Sequence, residues 1–449
     1  MHRALIGGLR APSPLQVTLS VFQTAAIPMS FASLGLIDQI TRTLASLSYH
    51  TPTAVQAQAI PAVLAGRDVM AAAQTGTGKT AGFALPLLQR LVMDGGQVAS
   101  NSARSLILVP TRELAEQVHE SLRAYGAGLP LRTMVAYGGV SINPQMMRLR
   151  KGVDVLVATP GRLLDLQRQN AVRFNQVQTL VLDEADRMLD LGFARDIDNL
   201  LALLPKQHQT LLFSATFSDT IRTLAAKLLH DPVSIEATPR NTTVKAIRQW
   251  IVPVDKKRKP DLFLHLLKRH GWPQVLAFVK TRKGVDQLVD LLAAQGIAAD
   301  SIHGDKPQPA RLRALDRFKA GEVRVLVATD VAARGLDIED LPVVVNVDLP
   351  IVAEDYVHRT GRTGRAGASG EAVSLVCADE VQQLAAIEAL TKQTLQRKEE
   401  AGFEPEHRVP QTNAAGEIVK KPKKPKKPKG AKDARADAPV VQEDVRFRR

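Results

Sequence analysis

The stretch Ala73 to Thr80, reading A-Q-T-G-T-G-K-T, constrains this chain more than any other. It follows the apolar run Val69 to Ala73 and precedes the amphipathic run Phe83 to Val92, so its setting is strand, glycine-rich loop, helix. Backbone N–H groups around Gly76 and Gly78 can wrap a triphosphate, because glycine lets the chain approach closely and a helix N-terminus favours anions. The pattern G-x-x-x-x-G-K-[ST] holds apart from Ala73 at its first position. Lys79 then reaches the β- and γ-phosphates and Thr80 a Mg²⁺ ion, with Gln74, Thr75 and Thr77 completing the loop.

Short apolar runs separated by helical patterns follow: Ser105 to Val109, Thr133 to Ala136, Val153 to Ala158, Thr179 to Leu182 and Thr210 to Phe213. Continuous apolar strands alternating with helices predict an α/β fold, a parallel sheet covered by helices on both faces. Ligands of such sheets bind at the carboxyl ends of the strands. The polar motifs stand at those ends. Asp183-Glu184-Ala185-Asp186 follows Leu182 directly; Asp183 suits a Mg²⁺ ligand, direct or through water, and Glu184 can orient the attacking water. Ser214-Ala215-Thr216 ends the run Thr210 to Phe213, where small hydroxyls can bond to the acidic strand end. Upstream, Thr53 reads as the N-cap of a helix with Gln56 in its first turn.

From about Asp231 to Pro253 the pattern lapses and reads as a linker, after which a second alternating series begins. Its runs are Val275 to Val279, Asp300 to His303, Val323 to Ala328, Val343 to Val347 and Ala372 to Cys377, without a phosphate loop of their own. The second lobe should therefore assist a nucleotide held by the first. Val155-Leu156-Val157-Ala158-Thr159 recurs as Val325-Leu326-Val327-Ala328-Thr329, an echo that points to duplication. In His358-Arg359-Thr360-Gly361-Arg362-Thr363-Gly364-Arg365 three arginines fall at i, i+3 and i+6, which clusters them on one side of a helix and suits contact with a γ-phosphate across a cleft.

The formal charge of +14 is uneven. Residues 419 to 449 carry twelve Lys/Arg against four Asp/Glu, and Lys420 to Lys429 reads K-K-P-K-K-P-K-K-P-K, an extended, disordered composition that attracts a polyanion in a salt-sensitive way. Aromatics make up only 4%, so sugar-phosphate contact is expected over extended base stacking. The single cysteine, Cys377, cannot form an internal disulfide and fits a reducing compartment. No stretch is apolar for long enough to span a membrane, and the acid-free first 28 residues read as a disordered arm with only a mild likeness to a transit peptide.

With the phosphate loop, D-E-A-D, S-A-T and H-R-T-G-R-T-G-R in this order, the chain resembles the DEAD-box RNA helicases over about residues 30 to 400. Tyr49, Pro52, Thr53 and Gln56 look like the family's adenine-recognising motif with Phe31 as its upstream aromatic, although Ala54 and Val55 stand where Pro and Ile are usual. The resemblance implies RNA sugar-phosphate contacts from Thr111 and Arg112, from Gly139 in Gly138-Gly139, and from Thr159 and Arg162 on the first lobe. On the second lobe it implies Gln308, Arg311 and Thr329 for RNA, Asp337 for the nucleotide ribose, and Arg362 and Arg365 for the γ-phosphate. It gives Ser214, Thr216 and His358 to coupling between the lobes. Ala62 to Asp68, Thr80 to Phe83 and Gly402 to Pro405 look most like the bacterial RhlE subfamily.

The expected organisation is two tandem RecA-like domains. An arm covers 1–28, the ATP-binding domain 29–237 with its adenine motif at 29–57, a linker 238–250, the second domain 251–400 and a disordered basic tail 401–449. The expected activity is ATP-dependent, Mg²⁺-dependent RNA duplex separation and RNA or RNP remodelling in the cytoplasm. RNA is the partner, ribosome-assembly or RNA-decay proteins are further candidates, and no membrane is involved. Two rival readings are an ATP-gated RNA clamp and a DNA-directed helicase of the same superfamily.

Overall fold

The computed structural model describes residues 30–73, 77–215, 217–236, 247–333, 338, 341–364 and 370–419, with the side chains of residues 331 and 333 left out. Of the expected site residues, Gln74, Thr75, Gly76, Thr216, Asp337 and Arg365 lie outside these, as do the arm 1–28 and the lysine-proline run from Lys420.

Strands β1 (Val69–Ala72), β2 (Ala103–Leu108), β3 (Thr133–Ala136), β4 (Val153–Ala158), β5 (Thr179–Leu182), β6 (Gln209–Ser214) and β7 (Val233–Glu236) form one sheet in the order β3-β4-β2-β5-β6-β1-β7. Strands β8 (Ile247–Pro253), β9 (Val275–Phe278), β10 (Ala299–Ile302), β11 (Val325–Ala328), β12 (Val343–Asn346), β13 (Gly370–Val376) and β14 (Gln396–Arg397) form a second, ordered β10-β11-β9-β12-β13-β8-β14. Counted within each lobe, the two orders are the same, and every pairing is parallel. The five-residue echo begins on β4 and β11, the fourth strand of each lobe. These are two tandem RecA-like domains.

The apolar runs are continuous because both faces of each sheet are covered. Along β1, Val69 and Ala71 enter one core and Met70 the other; along β9, Val275 and Ala277 divide in the same way from Leu276 and Phe278. Behind the phosphate loop, Phe83 of the helix Lys79–Asp94 meets Phe213 of β6 at a ring separation of 5.2 Å, with both side chains fully buried. Truncating either would cost about 3–5 kcal/mol and loosen the loop's footing.

The linker expectation from Asp231 to Pro253 is corrected at both ends, where β7 and the whole of β8 are strands; residues 237–246 between them lie outside the described residues. Val233-Ser234-Ile235-Glu236 is an edge strand with only Ile235 buried, so its apolar signal is thin. Residues 401–419, expected to belong to a disordered tail, instead pack on the second lobe. The main chain of Glu406 donates to Asp255 at 2.9 Å, Val409 is buried against Ile251 and Leu384, and Arg397 holds the carbonyls of Val409 and Pro410 at 2.9 and 2.6 Å. The strand β14 that starts this strap was too short to be seen in sequence.

Candidate active site and nucleic-acid interface

Parallel strands put their carboxyl ends along one edge, and the order β5-β6-β1 sets Asp183, Ser214 and Ala73 side by side. Ala73 N–H donates to the Ser214 carbonyl at 3.0 Å, and Asp183 N–H to the Leu108 carbonyl at 3.0 Å. Gly78, at φ 77°, turns the chain into the helix Lys79–Asp94; a side chain there would be strained and would run into the Gln56 amide. Thr53 caps the helix Ala54–Leu64 in a reciprocal capping box with Gln56. The same two side chains reach the phosphate loop: Thr53 Oγ1 donates to the Thr77 carbonyl at 2.7 Å and Gln56 Nε2 to the Gly78 carbonyl at 3.1 Å. One N–H and one lone pair of the Gln56 amide remain for a base. Phe31, expected beside the adenine, is only 4% exposed and packs into the first-lobe core, so it presents no open stacking face.

Two charged groups at this edge keep buried atoms without a hydrogen-bond partner among the described residues. Lys79 is buried and its ammonium has no partner among the described residues. Burial pushes the Asp183 carboxyl up to about 6, opposed by Lys79 and reinforced by the negative charge of Glu184. Glu184 holds a left-handed backbone (φ 54°, ψ 52°), unusual for a residue with a side chain; its N–H donates to Asp183 Oδ1 at 3.0 Å, while its own Oε2 is buried without a hydrogen-bond partner among the described residues. A buried ammonium with no hydrogen-bond partner among the described residues, near a buried carboxyl, fits a polyphosphate carrying a divalent metal. Thr80 is half-buried in the first turn of the same helix. Asp186 Oδ2 accepts a hydrogen bond from the Ala215 main chain at 3.0 Å, which links the acidic strand end to the S-A-T segment.

Across the cleft the helix Ala353–Thr360 ends before Arg362, so Arg362 does not share the helix that carries Arg359. Arg359 is fully engaged. It grips Asp330 at 2.5 and 2.6 Å, Asn346 at 2.9 Å and the Asp348 carbonyl at 2.7 Å, and lies over the Phe278 ring. Arg362 is buried and its carbonyl accepts from Leu341 at 3.1 Å. His358 faces the acidic segment of the first lobe: burial lowers its pKa, while Asp186 raises it, Arg187 lowers it and Glu184 raises it.

Sequence reasoning missed the second contact between the lobes. Glu113 Oε1 accepts from Gln308 Nε2 at 2.6 Å and pairs with Arg311 Nη2 at 3.0 Å, all three side chains being buried. Gln308 and Arg311, expected on RNA, are turned onto this carboxylate. In sequence Glu113 reads only as an acid in a helix first turn, and its partners stand 195 residues away from it in the case of Gln308.

The remaining expected RNA residues of the first lobe meet at the ends of β2, β3 and β4, which are neighbours in the sheet. Arg112 lies over Gly139, whose φ of 78° and lack of a side chain allow the approach. Arg162 Nη2 donates to the Val140 carbonyl at 2.8 Å, but its Nε and Nη1 are buried without hydrogen-bond partners among the described residues. Burial lowers the Arg162 and Arg311 pKa values and Arg112 lowers both further, so three guanidiniums converge. Such convergence suits a phosphate backbone. Thr111 caps the helix Arg112–Tyr125 through Leu114 N–H at 3.3 Å, whereas Thr159 makes no capping bond; Thr329 occupies the equivalent strand end in the second lobe.

Comparisons with known proteins agree with this geometry. The DEAD/DEAH box helicase profile matches residues 53–224 and the helicase conserved C-terminal domain profile residues 258–367. The chain is 42% identical over 368 residues to the DEAD-box ATP-dependent RNA helicase CshA of Bacillus cereus, covering 82% of this chain and 69% of that one. It is 43% identical over 375 residues to the ATP-dependent RNA helicase DeaD of Mycobacterium tuberculosis, covering 83% and 65%. Among solved structures, S. cerevisiae Dbp5 bound to RNA and ADP-BeF3 matches with a TM-score of 0.73 at 32% identity, covering 82% of this chain and 95% of that chain. Mss116p bound to ssRNA and AMP-PNP matches with a TM-score of 0.74 at 27% identity, covering 84% and 80%. The chain belongs to the DEAD-box family of ATP-dependent RNA helicases, RNA-stimulated ATPases of two RecA-like lobes.

Proposed function

We propose that this enzyme couples one ATPase site at the edge of the first sheet to closure of the second lobe on RNA, with the following assignment. Lys79 neutralises the β- and γ-phosphates, Thr80 and Asp183 hold Mg²⁺ directly or through water, and Ala73 to Gly78 surround the phosphates with main-chain N–H groups. The metal, when bound, withdraws charge from the phosphate oxygens. Glu184 orients the water through the carboxylate oxygen that has no other partner, and Arg362 and Arg365 approach the γ-phosphate from the second lobe. Gln56 and Asp337 contact the nucleoside.

RNA lies across Thr111, Arg112, Gly139, Thr159 and Arg162 on one lobe and Thr329 on the other, held mainly by its phosphates and 2′-hydroxyls. Gln308 and Arg311 contribute through their shared grip on Glu113. Closure carries His358 onto the Asp186 segment, whose bond to Ala215 leads through Ser214 to the phosphate loop. The observation that carries this reading is the unpartnered Lys79 ammonium beside Asp183, with the second lobe's His358 facing the same acidic segment. Its segments Ala62 to Asp68, Thr80 to Phe83 and Gly402 to Pro405 support reading it as RhlE-like. Action in the cytoplasm on ribosome-assembly or RNA-decay complexes is the setting we infer; no described helix is long and apolar enough to cross a membrane.

The test is ATP hydrolysis with no nucleic acid, single-stranded RNA, duplex RNA or DNA, alongside Glu184→Gln. Stimulation by RNA is expected, with a loss of about 100-fold or more in the variant. Equal stimulation by DNA, or a variant of undiminished rate, would overturn the substrate or the role of Glu184.

A further inference from the structure

A cavity of about 450 Å³ lies on the first lobe, at the end opposite the ATP and RNA site. Its walls come from the later turns of the helix Arg112–Tyr125 and from the segment where β3 begins. Ligands of a parallel sheet gather at the carboxyl ends of its strands, whereas this cavity sits at the amino ends. Arg123, three turns along the helix from Arg112, is about 16 Å away from it along the axis. Leu88 and Leu122 back the cavity and half-buried Leu131 forms one side, so it offers aliphatic surface. His119 stands in the wall. Burial lowers its pKa, opposed by a hydrogen bond to the Thr133 main chain, which leaves the ring neutral at neutral pH. Its Nε2 is buried with no hydrogen-bond partner among the described residues. A neutral imidazole that donates through one nitrogen accepts through the other, so the open position calls for a donor.

The mouth of the cavity is basic. Arg123 and Arg132 are exposed there, and the Arg132 guanidinium donates to the Lys151 carbonyl, which brings exposed Arg148, Arg150 and Lys151 to the same end of the lobe. None of these five side chains pairs with a carboxylate among the described residues. The acids that act on His119 are Glu116, already held by the Tyr137 hydroxyl, and Glu120. An unpaired basic rim wider than the cavity itself suits an acidic chain rather than one small anion. No Phe, Tyr or Trp lines the cavity, so a nucleobase would find no such ring to stack on. A phenol fits better, since aliphatic side chains take its ring and its hydroxyl can donate to a buried acceptor.

We propose that this cavity docks an acidic segment of a partner protein, which seats a tyrosine ring against Leu131 with its hydroxyl on His119 Nε2 and sets flanking carboxylates on Arg123 and Arg132. Such a segment covers nothing at the carboxyl ends of the strands. The partner therefore stays bound while ATP and RNA come and go, and holds the enzyme in an assembly as it turns over. The proposal needs only the fold of the first lobe and stands apart from the ATP and RNA assignments above.

The probes are fluorescein-labelled dodecapeptides of Glu and Asp with a central Tyr, Phe or Ser, titrated against the full-length protein by fluorescence anisotropy at about 0.15 M salt. The basic tail attracts every acidic peptide alike, so its share cancels between the three. The Tyr peptide should bind about tenfold more tightly than the Ser peptide and about threefold more tightly than the Phe peptide. His119→Phe should abolish the advantage of Tyr over Phe. Arg123→Glu should weaken the Tyr peptide about tenfold while leaving half-saturating RNA, kcat for ATP and the melting temperature as in wild type. Equal binding of the Tyr and Ser peptides, binding by neither, or a Tyr peptide indifferent to Arg123→Glu would overturn the proposal. Weaker stimulation by RNA in Arg123→Glu would overturn it too, by making this face a nucleic-acid surface. If His119→Phe or Arg123→Glu fails to fold, Arg132→Ala decides by the same loss of the Tyr peptide.

Discussion

The two lobes share one strand order, yet four buried cations near their strand ends, two in each lobe, are treated in opposite ways. At the strand ends of the first lobe Lys79 and Arg162 each keep a buried nitrogen without a hydrogen-bond partner among the described residues, as Glu184 keeps an oxygen. At the strand ends of the second lobe Arg359 is satisfied by Asp330 and Asn346, and Lys259 by Asp348 and Glu380. Leaving a charge unpaired in a protein interior is costly, and such groups persist where a ligand completes them. The first lobe is therefore built incomplete, a site whose remaining partners arrive with ATP and RNA. In the second, Lys259 and Arg359 already have their partners in the fold and need none from a ligand.

Asp183 gives the largest expected break in this contrast. Its pKa is raised to about 6 in the folded lobe from the ordinary value of 3.8, so the folded state binds the proton more tightly than the unfolded one. Stability of the ligand-free enzyme should therefore fall as pH rises between those two values and stay low above about 6. Asp183→Asn removes the buried charge and should stabilise the ligand-free protein at pH 7.5 by up to about 3 kcal/mol, while lowering ATP turnover by at least about 100-fold. A parallel melt and ATPase assay checks both signs. The wild-type kcat/KM for ATP should also decline below about pH 6, as Asp183 takes up its proton. A variant that is both inactive and less stable would mean that Asp183 is held by the fold rather than kept for a cation.

Which parts were legible in sequence follows the same division. The phosphate loop, the acidic strand end and the five-residue echo are local patterns, each written in one strand and the turn after it, and the structure puts the echo on equivalent strands. Contacts made at a distance left no such trace. Glu113 gains its meaning from Gln308 and Arg311, Arg359 from Asp330, and Phe31 is drawn into a core that its own segment does not reveal. The edge strands β7 and β14 were missed because an edge needs little apolar sequence, and Arg397 and Asp255 fasten the strap that follows through main-chain groups of any residue type.

Glu113 is where the two lobes meet, and it sharpens the comparison at intermediate cost. It lends a carboxylate from the incomplete lobe to Gln308 and Arg311 of the second, with both charged side chains less than a tenth exposed. Glu113→Ala strands Arg311 near Arg112, with like charge, and should raise half-saturating RNA about tenfold or more, with ATP turnover at saturating RNA lowered less. Adding Arg311→Met removes the stranded cation, so the double variant should be less impaired than the sum of the singles. Strict additivity in ATPase titrations would show that the pair does not act as a latch.

The smallest effect belongs to the tail, and the strap decides where to cut. Truncation at residue 405 would remove Val409 from the second-lobe core and the main-chain bonds of Glu406 and His407 to Asp255, mixing loss of fold with loss of charge. Truncation after Val419 spares those contacts and removes only the segment with twelve Lys/Arg against four Asp/Glu. RNA affinity at about 0.1 M salt should then weaken by several-fold, and the slope of log affinity against log salt should become shallower. ATP turnover at saturating RNA and the melting temperature should stay within error of the full-length chain, since the folded lobes and their strap are untouched. An unchanged salt slope would mean that the RNA meets only the folded lobes, and that the Arg112, Arg162 and Arg311 cluster supplies the whole electrostatic attraction.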